Sequence, residues 1–192
     1  MGYELETVRV RLVKGIPLYS ERRLEDTEAV VDLMAEELSG YDRETLCVLN
    51  MNAKNQVLNM NLASMGTLDA SLANPREIFK SAILANASAI ILLHNHPSGI
   101  VEPSQADLDV TERMKESGKI LGIRLLDHLV IGGGTGEVYS IIQECKVRGA
   151  APGQTKAVQG ADMHAAYVAD AAGKKTAAEK KRQAKKLSGP KL

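Results

Sequence analysis

The segment His94-Asn95-His96-Pro97-Ser98-Gly99 carries the residue types most able to do chemistry. It directly follows the apolar run Ala89 to Leu93, which reads as a buried strand. Residues i and i+2 of a strand share a face. His94 and His96 therefore present two imidazoles to one point, at a strand end where a loop opens. Neutral imidazole is a favoured zinc ligand. Pro97 and Gly99 then turn the chain away. Downstream, Pro103-Ser104-Gln105-Ala106-Asp107 opens the next element. Taken alone, Ser104 and Asp107 read as a helix N-cap and its capping box, and an acidic first turn suits the helix dipole. Taken with the two histidines, Asp107 reads as a third ligand. Three protein ligands with a fourth position left for water is the pattern of a catalytic zinc rather than a structural one. A bare pair of histidines at this spacing is weak, because satisfied core histidines are common. HxHP followed by Ser-x-x-Asp is far more specific.

The elements that must position these groups are legible from periodicity. Val8 to Val13 alternates and is rich in β-branched residues, as a strand would be. Asp26 to Ser39 repeats apolar residues at helical spacing, with Gly40 at its stop. Leu46 to Met51 and Gln56 to Leu62 predict a hairpin around Asn52-Ala53-Lys54-Asn55. Pro75 to Ala87 predicts a helix with Ile78, Phe79, Ala82 and Ile83 on one face. Ala89 to His94 predicts a strand, Gln105 to Lys119 a helix and Ile123 to Ile131 another strand. Hairpins mixed with helices imply an α/β or α+β fold with a mixed sheet. The Gly-rich stretch Gly132 to Gly136 lacks the phosphate-loop pattern and reads as a flexible strand connection.

The string His94-x-His96-Pro97-x(6)-Ser104-x-x-Asp107 resembles the JAMM motif of MPN/JAB metallopeptidases. Three longer strings resemble the bacterial RadC branch: Asn74-Pro75-Arg76-Glu77-Ile78-Phe79, His94 to Gly99, and Leu126-Asp127-His128-Leu129-Val130-Ile131-Gly132. The resemblance runs from about Leu24 to Arg148. It implies a cytidine-deaminase-like α/β sandwich, a mixed sheet flanked by helices with one zinc per chain at one edge. It also implies that Glu44, just before the first hairpin strand, is the general base; a solvated strand-end charge is the bland alternative. On that reading zinc lowers the pKa of a water to about 7 and polarises a carbonyl. Glu44 takes the proton and passes it to the leaving amine, and the Ser104 hydroxyl bonds the developing oxyanion. The reaction would be hydrolysis of an amide or isopeptide bond in a protein or peptide. Asp127-His128 is expected to be structural or to support a ligand.

Composition narrows the classes further. The 192 residues are 44% hydrophobic and 25% charged, which suits a globular domain. No apolar run approaches the roughly 18 residues of a membrane span, and no signal pattern opens the chain. Cys47 and Cys145 read as buried thiols in a reducing cytoplasm. HExxH is absent, as is the HxE with PCxxC of zinc deaminases. Adjacent His-Asn-His does not make an HNH nuclease, whose residues are dispersed. The net charge of zero conceals a split, since residues 149–192 hold 9 basic and 3 acidic residues. We expect three regions: a 1–23 extension, a 24–148 domain and a 149–192 basic Ala/Lys-rich tail that is disordered or partly helical. The tail suggests weak nucleic-acid contact. The rival to a peptidase is thus a DNA-associated accessory protein of repair or conjugation, with a structural or vestigial metal site. The sequence assigns no oligomeric state.

Overall fold

The computed structural model describes residues 7–15, 17–20, 27–66 and 73–147. Helix α1 (Thr27–Ser39) leads into a hairpin of strands β1 (Thr45–Met51) and β2 (Val57–Met65). Helix α2 (Pro75–Leu84) precedes strand β3 (Ala89–His96), helix α3 (Gln105–Leu121) and strand β4 (Arg124–Gly132). Two three-residue strands follow, β5 (Val138–Ser140) and β6 (Cys145–Val147). The sheet order is β2-β1-β3-β4-β5-β6. Only the β3–β4 pair is parallel, as a β-α-β connection through α3 requires. The expected α/β architecture with a mixed sheet is therefore observed.

The period of two along β1 and β3 divides the core into two layers. Cys47, Leu49, Met51, Ala89, Ile91 and Leu93 pack with Val30, Met34 and Leu38 of α1. Leu46, Val48, Ile90 and Leu92 pack with Ile78 and Phe79 of α2 and Val110 and Met114 of α3. Both faces of the sheet are thus covered by helices, which is why β1 is buried at every position. In β3 the same parity puts His94 and His96 on the face covered by α3. Two features place the site. β1 runs antiparallel to β3 with Leu46 opposite His94, so the start of β1 meets the end of β3. β4 runs parallel with Gly132 opposite His96.

Three expectations need correction. Val8 to Val13 forms no strand; Val8, Val10 and Val13 are 80%, 71% and 80% exposed. Alternation can supply a strand's shape but not a partner, and the described ladders of β2 go to β1 alone. Ile83 is 56% exposed rather than on the buried face of α2. At 100° per residue it lies on the rim of the stripe centred on Ile78, Phe79 and Ala82. Cys145 is exposed, while Cys47 is buried as expected. The strands β5 and β6 escape sequence reading because three residues carry no detectable period. The tail, residues 149–192, lies outside the described residues.

Candidate metal centre

The site forms where β3 ends and α3 begins. Ser104 caps α3, its hydroxyl accepting from the Asp107 N–H while the Asp107 carboxylate accepts from the Ser104 N–H at 2.8 Å. This capping box fixes Asp107 in the first helical turn, facing the two histidines of β3. The Nε2 atoms of His94 and His96 are 3.1 Å apart. His94 Nε2 lies 3.2 Å from Asp107 Oδ1, and His96 Nε2 lies 3.6 Å from Asp107 Oδ2. Tetrahedral zinc with bonds of about 2.0–2.1 Å places neighbouring donors about 3.3 Å apart. The spacings lie near that value, though His94 and His96 meet different oxygens of Asp107; one ligand atom from each residue lies within 4.8 Å of the others, so His94, His96 and Asp107 could hold a divalent ion. Among the described residues this is the one cluster of its kind.

The electrostatics fit the same reading. Burial pushes the His94 imidazole down to about 4, keeping the ring neutral with one nitrogen free to accept. Burial also drives His128 well below the usual histidine value. Burial alone would raise Asp107, but the bond with His96, the charge of His94 and the two bonds from Ser104 outweigh it. They hold the carboxylate well below its ordinary range. His96 is less enclosed; its bond with Asp107 raises its proton affinity against the opposing effect of burial. Its other ring nitrogen, Nδ1, donates to the Ile100 carbonyl at 2.7 Å, so Nε2 is the atom turned to Asp107.

Glu44 sits half-buried just ahead of β1, and its charge contributes to the raised proton affinity of His96. Its place is set by Asn95, the residue between the two histidines, which points to the opposite side of β3. The Asn95 side chain accepts from Thr45 N–H at 2.8 Å and donates to the Arg43 carbonyl at 3.0 Å. A side-chain amide thus grips the backbone on both sides of Glu44, while the Glu44 carbonyl accepts from Gly66 N–H. The Ser104 hydroxyl donates its single proton to Asp107 Oδ2 at 2.6 Å. Capping leaves that proton directed at the ligand, so oxyanion donation requires the hydroxyl to rotate.

The Gly-rich connection after β4 is packed rather than loose. Gly133 N–H donates to the His96 carbonyl at 2.8 Å, and Gly99 N–H donates to the same oxygen at 3.0 Å. A Cβ on Gly133 would stand 2.8 Å from the Pro97 carbonyl oxygen and 2.9 Å from that of His96. The turn after His96 is therefore braced by backbone that no larger residue could supply. Asp127 and His128 diverge, as neighbours in a strand must. The Asp127 carboxylate accepts from Ser140 and Gln143, tying β4 to the β5 end. His128 turns inward to His94, with its Nε2 2.9 Å from His94 Nδ1. Sequence reasoning missed Thr111, whose Oγ1 lies 2.7 Å from His128 Nδ1. Its signal was available: Thr111 is one helical turn beyond Asp107, on the same face of α3.

A mixed sheet with helices on both faces, and a His-His-Asp cluster where β3 ends and α3 begins, defines a JAB/MPN domain. The RadC-like JAB domain model matches residues 24–147, and the chain belongs to that family. It is 52% identical over 105 residues to a UPF0758 protein of Moorella thermoacetica, covering 55% of this chain and 46% of that one. It is 47% identical over 109 residues to a UPF0758 protein of Caldanaerobacter subterraneus, covering 57% and 47%. It is 44% identical over 124 residues to a UPF0758 protein of Chlorobaculum parvum, covering 65% and 54%. The chain thus spans about half the length of these curated relatives.

Proposed function

We propose that this chain is a zinc-dependent hydrolase of amide or isopeptide bonds, acting on a protein or peptide. The observation that carries the reading is the convergence of His94, His96 and Asp107 at one point, with Glu44 held beside them. A bound zinc ion would supply Lewis acidity toward a carbonyl oxygen and make a water more acidic. His94, His96 and Asp107 would hold it. Glu44 takes a proton from the attacking water and returns it to the leaving amine, a role in which a carboxylate contributes about 10²–10⁴ in rate. Asn95 keeps Glu44 at a fixed distance from the donors. Ser104 turns its hydroxyl from Asp107 toward the oxygen that gains charge, a donor worth about 10²–10³. The reading places the protein in the cytoplasm, where both cysteines stay reduced. In the described residues no helix is long and apolar enough to cross a membrane.

Elemental mass spectrometry on the native chain, His96→Ala and Glu44→Gln tests this, paired with cleavage of peptide and isopeptide libraries. One zinc is expected in the native chain and in Glu44→Gln, and none in His96→Ala. Cleavage should fall about 10²–10⁴-fold in Glu44→Gln. No metal in the native chain after dialysis against zinc would sink the reading. So would cleavage that Glu44→Gln leaves unchanged.

A further inference from the structure

Thr111 and His128 stand behind the His94-His96-Asp107 cluster, in contact with two of its members. Thr111 Oγ1 lies 2.7 Å from the Asp107 main-chain carbonyl and 2.7 Å from His128 Nδ1. A carbonyl can only accept, and the hydroxyl has one proton to give. Sending that proton to the carbonyl satisfies both oxygens. Sending it to His128 would leave two lone pairs facing each other at 2.7 Å. The hydroxyl therefore accepts from His128 Nδ1–H. His94, Thr111 and His128 are each 1% exposed, so the two rings are held neutral and water cannot substitute for a missing partner. A neutral His128 with its proton on Nδ1 offers a lone pair at Nε2, which faces His94 Nδ1 at 2.9 Å. His94 must then carry its proton on Nδ1, leaving the Nε2 lone pair facing His96 Nε2 at 3.1 Å and Asp107 Oδ1 at 3.2 Å, three acceptors that only a shared proton or a cation reconciles.

We infer that Thr111 and His128 are positioning residues: a proton register running Asp107 carbonyl–Thr111–His128–His94 fixes the tautomer that turns the His94 Nε2 lone pair to the metal. The inference rests on the metal-centre reading above. Ligating histidines ordinarily donate their second nitrogen to a carboxylate, a carbonyl or water. Here the acceptor is another imidazole, which could donate or accept equally well, so something must set its direction. Thr111 does so, and without it His128 could carry its proton on Nε2 and force His94 into the tautomer that buries its lone pair.

The test uses the full chain labelled with ¹⁵N-histidine and freed of metal. Long-range ¹H–¹⁵N correlation should report the proton on Nδ1 for both His94 and His128. Zinc affinity, measured by competition with a chelator, should fall about 10–100-fold in Thr111→Val. Thr111→Ser, which keeps the hydroxyl, should bind as the native chain does. In Thr111→Val the His94 signal should shift toward the Nε2–H form. A native His94 protonated on Nε2 would overturn the inference. So would Thr111→Val, folded by its amide spectrum, binding zinc with native affinity and an unchanged His94 tautomer. None of these readouts needs hydrolysis. A chain that binds zinc and cleaves nothing refutes the hydrolase reading and leaves the register standing, whereas a native chain that binds no zinc overturns both.

Discussion

Two buried imidazoles at one site tie the fold of the metal-free chain to pH. His94 is held near 4 in the folded state by burial, against about 6.5 when unfolded. Between those values the unfolded chain binds a proton that the folded chain refuses, so stability must fall as pH falls through that window. His94 alone accounts for a loss on the order of 3 kcal/mol, and His128, shifted the same way by burial, adds to it. His96 has the opposite sign: its raised value stabilises the folded state at low pH and is lost as pH rises through that value. Asp107, held low, stabilises above the usual carboxylate range and gives way only in stronger acid. Urea titrations of the metal-free chain at pH 7, 5.5 and 4.5 should show falling midpoints. Flat midpoints would mean that the histidines are solvated in solution.

At the scale of elements, the connection from β4 to β5 holds the turn after β3. Gly133→Ala drives a Cβ into the His96 and Pro97 carbonyls. Relief must come from backbone movement at the turn after His96 itself. We expect a loss of about 1–3 kcal/mol, the usual size of overpacking, with zinc affinity reduced in the same variant. Gly134→Ala is not an equivalent control, since Gly134 has a left-handed φ of +68°. Lys54→Ala, in the exposed hairpin turn, is one. A Gly133→Ala chain with native melting and native zinc affinity would refute the brace. This element also shows what a sequence can reveal. The cluster of His94, His96 and Asp107 was legible because strand spacing and a capping box are both local patterns, written within one strand–helix unit. The helices and the hairpin were legible for the same reason. The grip of Asn95 on Arg43 and Thr45, the Gly133 brace and the contact of His128 with His94 join residues far apart in the chain. No local period encodes such pairings. Val8 to Val13 is the converse, a local period with no strand partner among the described residues.

At the scale of the molecule, the buried residues of both core layers and the His94-His96-Asp107 cluster fall, among the described residues, within residues 27–147. The charge surplus lies elsewhere, in residues 149–192, with 9 basic against 3 acidic residues. The two properties should therefore separate. A chain ending at Arg148 should keep its zinc content and its melting temperature. If the full chain binds duplex DNA, the truncated one should lose that affinity, along with the steep salt dependence that counterion release imposes. DNA binding that survives truncation would move the contact onto the domain. Truncation that abolishes zinc binding would mean that the tail completes the site.

The donors also follow one another closely along the chain, while the ring that orients His94 arrives later, on β4. Chain growing from its N-terminus presents His94, His96 and Asp107 before His128 exists. A flexible segment of that kind already chelates weakly, because closing so short a loop costs little entropy. Metal held by the unfolded chain offsets part of what the folded chain gains. If the finished site holds zinc, the rise in melting temperature on adding it will therefore understate how tightly it is held.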